Sequence, residues 1–152
     1  MNECIKLIGT LIIEHFRNGK RVRKDEYKNL VVNAGLAQVA GLIVNLETNY
    51  FDYMAIGTGT TAPQPTDTAL ENEITTGGGA RAAATITRIT QDVTNDTVQF
   101  VHQWTFTSSF AITEAGIFND STAGVMLSRK TFSAYNVVNG DELQITWRVQ
   151  FK

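Results

Sequence analysis

Few side chains in this sequence could do covalent chemistry: one cysteine, Cys4, and two histidines, His15 and His102. A nucleophilic thiol needs a base and an electropositive setting to become a thiolate. Cys4 instead heads an apolar stretch, Ile5 to Phe16, and reads as a buried or terminal thiol. His102 is in phase with Val98, Phe100, Trp104 and Phe106, which places it on a core face or its edge as a hydrogen-bonded structural histidine. Two distant histidines and one cysteine make a poor zinc set, and no aspartate-rich loop has calcium spacing. No metal and no cofactor is expected. The carboxylate pairs Asp25-Glu26 and Asp141-Glu142 are adjacent, so on a strand their members point to opposite faces, against paired acid and base work. Gly57-Thr58-Gly59-Thr60-Thr61-Ala62 formally matches a dinucleotide fingerprint with alanine in the third place. That motif needs a helix to start inside it and face the pyrophosphate, and Pro63 and Pro65 block one. It reads as a glycine-rich connecting loop, and the expectation is that the chain is not an enzyme.

A second kind of chemistry is charge. Arg17, Lys20, Arg21, Arg23, Lys24 and Lys28 face only Asp25 and Glu26 in the same segment. This basic stretch suits contact with an acidic protein partner, ahead of a merely solvated hairpin. Nucleic acid ranks third, because no aromatics are interleaved for base stacking. The net charge of -2 supplies no general attraction to nucleic acid or anionic lipid. Charged residues make up 18% against roughly 25% in an average soluble protein, which implies that much of the surface is covered by partners. The 152 residues fit one domain with a real core. Met1 to Lys6 lacks the design of a secretory signal and no apolar run could span a membrane, so a protein that is soluble, not exported and at home in a reducing cytoplasm is expected.

The elements that must position these groups are mostly strands. Ile5, Leu7, Leu11 and Ile13 alternate with Ile8, Ile12 and Phe16, giving a first strand with two apolar faces that must be covered twice. Arg17-Asn18-Gly19-Lys20 predicts a tight hairpin turn, with a charged tip that projects and a return strand over 21–32. Asn33 can cap an amphipathic helix to about Asn45 that buries Leu36, Val39, Ala40 and Ile43. Tyr50 to Ile56 reads as a strand, Gly57 to Thr66 as a loop, Thr66-Asp67-Thr68 as the cap of a short helical turn through Glu73, and Thr75 to Ala80 as the most flexible segment. Alternating patterns and turn signals predict further strands near 82–92, 97–107, 112–118, 124–132 and 142–151, with Trp104 and Trp147 in the core.

Several pieces of the chain, in order, carry a resemblance. They are Asn29-Leu30-Val31-Val32-Asn33-Ala34-Gly35-Leu36, Tyr53-Met54-Ala55-Ile56-Gly57-Thr58-Gly59-Thr60-Thr61-Ala62 and Thr66-Asp67-Thr68-Ala69-Leu70, then Phe106 and Ile112-Thr113-Glu114-Ala115-Gly116-Ile117-Phe118. Leu127-Ser128-Arg129 and Asn139-Gly140-Asp141-Glu142-Leu143-Gln144-Ile145-Thr146-Trp147 complete the set. From Asn29 onward the chain resembles small virion proteins of tailed bacteriophages, of the tail-collar fibre-like, tail fibre and head-decoration kind. The glycines of Ile56-Gly57-Thr58-Gly59 and Ala115-Gly116-Ile117 suit sharp departures from strand geometry. Collagen-like, heptad and β-helical repeats are missing, which favours a compact collar, adaptor or capsid-bound unit over a long shaft.

The expected fold is mostly β: an antiparallel β-sandwich with an N-terminal β-hairpin and one short amphipathic α-helix. One domain spans 1–152, with the hairpin in 1–32, the helix in 33–46 and sandwich strands in 50–152. The expected role is that of a non-enzymatic structural component of a bacteriophage virion, assembled in the host bacterial cytoplasm. Its expected partners are copies of itself, a trimer on the strength of the resemblance, and other virion proteins of tail, collar, portal or capsid. Neither membrane nor nucleic acid is an expected partner. Candidate assembly contacts are Ile8, Ile12, Phe16, Arg17, Lys20, Arg21, Arg23 and Lys24. The alternative is a receptor- or glycan-binding module using Tyr50, Phe51, Tyr53 and Tyr135.

Overall fold

A computed structural model describes residues 4–152 of the chain; the part of the export reading that rests on residues 1–3 lies outside the described residues. The elements are β1 (Leu7–Arg17), β2 (Lys20–Lys28), β3 (Leu30–Val31), α1 (Asn33–Ile43), β4 (Tyr53–Gly57), β5 (Ala82–Ala83), β6 (Thr85–Ile89), β7 (Thr97–Thr105), β8 (Phe110–Phe118), β9 (Met126–Val137) and β10 (Glu142–Phe151). They form two five-stranded sheets, sheet A in the order β2-β1-β10-β7-β6 and sheet B in the order β3-β9-β8-β4-β5. All pairings are antiparallel, so the fold is the expected sandwich.

Period-two patterning builds the main core between the sheets. Sheet A contributes Leu11, Ile13, Phe100, Trp104, Leu143, Ile145 and Trp147, and sheet B contributes Met54, Ile56, Ile112, Ile117, Leu127 and Tyr135. A second, smaller core of Val32, Ala55, Leu70, Phe118 and Met126 lies apart from it. Leu70 comes from the loop between β4 and β5, so that loop covers the outer side of sheet B. This explains why β8 is buried almost continuously from Ile112 to Phe118 instead of alternating.

The hairpin departs from expectation. Asn18 (φ 52°) and Gly19 (φ 73°) both take the left-handed conformation that a two-residue hairpin turn requires, as the Asn-Gly pair predicts. The tip does not project, however, because β1 pairs with β10 along its whole length, from Leu7 opposite Phe151 to Phe16 opposite Glu142. Nor is β1 a sheet edge. It lies between β10 and β2, and β2, with seven charged residues in nine, takes the edge, where charge discourages stray strand pairing.

The helix turns a different face inward. Its buried residues are Gly35 and Gln38, with Val39 and Leu42 partly buried, while Leu36 and Ile43 are exposed. The cause is Gly35: a β-carbon there would sit 2.5 Å from the Leu127 carbonyl oxygen, so the helix packs closely on the β9 backbone through its glycine. Asn33 is the first helical residue rather than the cap, and the cap position, Val32, makes no side-chain capping bond. The segment from Thr66 to Glu73 forms turns and no helix, Asp67 accepting a bond from the Gln64 N–H instead. β4 begins at Tyr53 rather than Tyr50, and β9 runs five residues past its predicted end.

Candidate functional site

The eight candidate contact residues divide into two sets. Ile8, Ile12 and Phe16 lie half-buried on the outer face of sheet A, out of phase with the buried Leu11, Ile13 and His15. Lys20, Arg21 and Lys24 are exposed beside them, Arg21 bridging to Glu14 at 2.9 Å. Arg17, itself exposed, and Arg23, half-buried, are engaged by groups of their own chain. Arg17 grips Asp141 through Nη2 at 2.7 Å and Nε at 3.0 Å. Arg23 lies 3.8 Å over the Tyr135 ring and bonds Asp25 at 2.6 Å and the Ala134 carbonyl at 2.7 Å. The basic segment is therefore less available than its composition implies.

The clusters these arginines join are structural in geometry. Asp141 is buried and accepts from Arg17, from the Val138 N–H and from His15 Nε2, at 2.8 Å in the last case. The Arg17 bonds outweigh burial and, with His15 and Val138, hold the Asp141 carboxyl well below the usual carboxylate range. Asp25 is likewise lowered, first by the Tyr135 hydroxyl and then by Arg23, while burial and the bond to Asp25 push the Tyr135 phenol up. Cys4 is exposed and His15 is partnered by Asp141. His102 is half-buried with its ring edge-on to Trp104 at 4.6 Å, its pKa lowered by burial. The adjacent carboxylates do diverge: Asp141 is buried while Glu142 is half-buried, and Asp25 meets Tyr135 while Glu26 is exposed. Among the described residues no group of three or more His, Cys, Asp or Glu could hold a metal ion.

The most constrained cluster was invisible to motif reading. Glu114 in β8 is 0% exposed and Arg129 in β9 is 3% exposed, and they meet through Nη2 at 2.8 Å and Nε at 3.0 Å. The Glu114 carboxylate also accepts the N–H groups of Gly59 (3.0 Å), Glu71 (3.0 Å) and Asn72 (2.7 Å). Arg129 reaches Asp67 at 2.9 Å. Five donors saturate one carboxylate, which leaves no lone pair for proton transfer and makes it a latch fastening the 58–74 loop to sheet B. Gly57 and Gly59 belong to the latch by close approach rather than by unusual backbone angles, since a β-carbon on either would lie within 2.6 Å of Glu114 Oε1. The signal available in the sequence was a lone glutamate inside the apolar run from Ile112 to Phe118.

Of the four aromatics considered for glycan contact, Phe51 and Tyr135 are buried and Tyr53 is half-buried, leaving Tyr50 exposed.

Fold and clusters together define a mostly β structural protein, in which buried charges hold loops and strands in place. The residues of the resemblance converge on that scaffold: Gly57 to Ala62, Thr66 to Leu70, Ile112 to Phe118 and Leu127 to Arg129 all contribute to the latch or to the small core beneath it. A family model, Gp80, podophage GP4 fiber I protein gp80, matches residues 43–148, well over half of the chain, and the chain belongs to this family. It is thus a bacteriophage virion structural protein of fibre type. No curated protein and no solved structure matches it.

Proposed function

We propose that the chain is a non-enzymatic building block of the phage particle that assembles with copies of itself, as a trimer, and docks on neighbouring virion proteins of the tail, collar, portal or capsid. The observation that carries this reading is the outer face of sheet A, where Ile8, Ile12 and Phe16 alternate with Thr10 and Glu14 along β1, beside exposed Lys20, Arg21 and Lys24 of β2. A partly apolar face with a basic margin suits a protein neighbour with an acidic rim, whose attraction weakens as salt rises. The hairpin contributes this face to contacts between chains or with the particle, and assembly takes place in the host bacterial cytoplasm.

Multi-angle light scattering on the purified chain tests the self-assembly. A mass three times the 16.7 kDa of one chain is expected. A stable monomer at high concentration would refute the homo-oligomer.

A further inference from the structure

Where β4 begins and β8 ends, side by side in sheet B, the surface holds a recess of about 250 Å³ lined mainly by polar groups. The chain leading into β4 supplies Asn49, Tyr50, Asp52 and Tyr53, and the turn after β8 supplies Asn119 and Asp120. Strand pairing brings the two together: Tyr53 lies opposite Phe118, and the Asp52 N–H donates to the Phe118 carbonyl at 3.1 Å. Both walls are held from behind. The Asn49 carbonyl accepts from the buried Gln38 side chain at 2.9 Å and from Asn119 Nδ2 at 3.4 Å. Asn119 Oδ1 accepts the Val125 N–H at 2.7 Å, and Arg81 Nη1 donates to the Asp120 and Ala123 carbonyls at 3.0 and 2.8 Å. The recess is thus shaped before anything enters it, which lowers the ordering cost of binding.

The groups that face the recess are less engaged than those that shape it. The Asp52 carboxylate is half-buried yet accepts no hydrogen bond among the described residues. Burial, and after it the charge of Asp120, raises its pKa above the ordinary carboxylate value. Asp120 commits Oδ1 to Ser121 and Thr122, which leaves Oδ2 open. Tyr50, 64% exposed, offers a ring at the rim. Among the described residues no lysine, arginine or histidine lines the recess.

We infer that this recess binds one uncharged sugar ring, whose hydroxyls donate to Asp52 and Asp120 and whose C–H face lies on Tyr50. Open carboxylate lone pairs make short, charge-assisted bonds to O–H donors, and the negative face of a tyrosine ring attracts the polarised C–H bonds of a pyranose. A few placed polar groups beside an aromatic wall are what orients a small ligand in a concave site. An acidic sugar would bring its charge against two carboxylates with no lining cation to offset it. Two carboxylates also fall short of a metal centre, since among the described residues no group of three or more His, Cys, Asp or Glu is assembled. The inference does not rest on the self-assembly reading above.

Saturation-transfer NMR and titration of the full chain test it, with the methyl glycosides of glucose, galactose, mannose, rhamnose and N-acetylglucosamine as probes. Glucuronic acid, calcium chloride and a lysine-rich peptide are the comparison ligands. At least one neutral glycoside is expected to bind, and glucuronic acid about tenfold more weakly or not at all. Tyr50→Ala and Asp52→Ala, whose folds circular dichroism verifies, should each weaken that binding roughly tenfold, the effect of losing one good contact. Lys20→Ala/Lys24→Ala, on the hairpin, should keep the wild-type affinity. The site is overturned if no neutral glycoside binds, if glucuronic acid binds as well as they do, or if both recess variants keep full affinity. Saturable binding of calcium or of the lysine peptide that Asp52→Ala abolishes, with no sugar bound, assigns the recess to a cation and equally overturns it.

Discussion

Replacing Arg129 with methionine is expected to cost about 3 to 5 kcal/mol of folding stability, because it strands the Glu114 carboxylate in a site with no exposure to water. At the sensitivity of a protein this size, the loss lowers the melting temperature by roughly 10 °C. The three backbone N–H groups of Gly59, Glu71 and Asn72 still reach Glu114, but none of them carries the compensating charge. Adding Glu114→Gln to Arg129→Met removes the buried charge, so the double variant should be more stable than the sum of the two single losses predicts. Thermal denaturation of the four forms decides it. Strict additivity would mean that the two side chains do not act as one latch. Because the loop they hold covers sheet B, the single variant should also expose Leu70 and Phe118, and it should become susceptible to proteolysis between residues 58 and 74.

Trp147→Ala should cost a similar amount, on the order of 3 to 5 kcal/mol, through the cavity left by a large buried aromatic. Trp147 is fully buried and sits between Leu11 on β1 and Phe100 on β7 in the strand register. Its indole N–H donates to Asn29 Oδ1 at 3.1 Å, and Asn29 Nδ2 is already buried without a partner. Truncation therefore removes the hydrogen bond of a buried amide as well as packing. Trp104, also buried, should lose a comparable amount, as its N–H holds the Ala80 carbonyl at 2.9 Å. Denaturant titration measures both costs. Water-soluble quenchers should leave both indoles largely unquenched in the folded protein, and quenching like that of free tryptophan would contradict the packing.

The parts of the fold legible in the sequence were those governed by period two. Val98 to Phe106 and Leu143 to Phe151 alternate cleanly because each strand has one core face and one polar face, and the Asn-Gly turn announces itself by its need for positive φ. Patterning failed where a third layer intervened. Sheet B is covered on its outer side by the 58–74 loop, so β8 reads as one continuous apolar run whose single charge looks like an exception rather than a keystone. Apolar spacing alone does not fix which side of the helix faces inward, because a glycine at the closest approach outranks a leucine one position on. Similarly, β1 has one buried face and one half-buried face that Thr10 and Glu14 interrupt, and the pairing of residues 7–16 with 142–151 joins segments about 130 residues apart, which no local pattern reveals. The basic segment was legible as composition only, since Asp141 and Tyr135, which engage two of its arginines, lie more than 100 residues away.

Quantitative mass spectrometry of gradient-purified phage particles tests the role of this chain as a building block most directly. The chain should be found in the particles in several copies, in a number divisible by three relative to a virion protein of known stoichiometry. Its absence from particles, while the protein is abundant in the infected cells, would contradict that role.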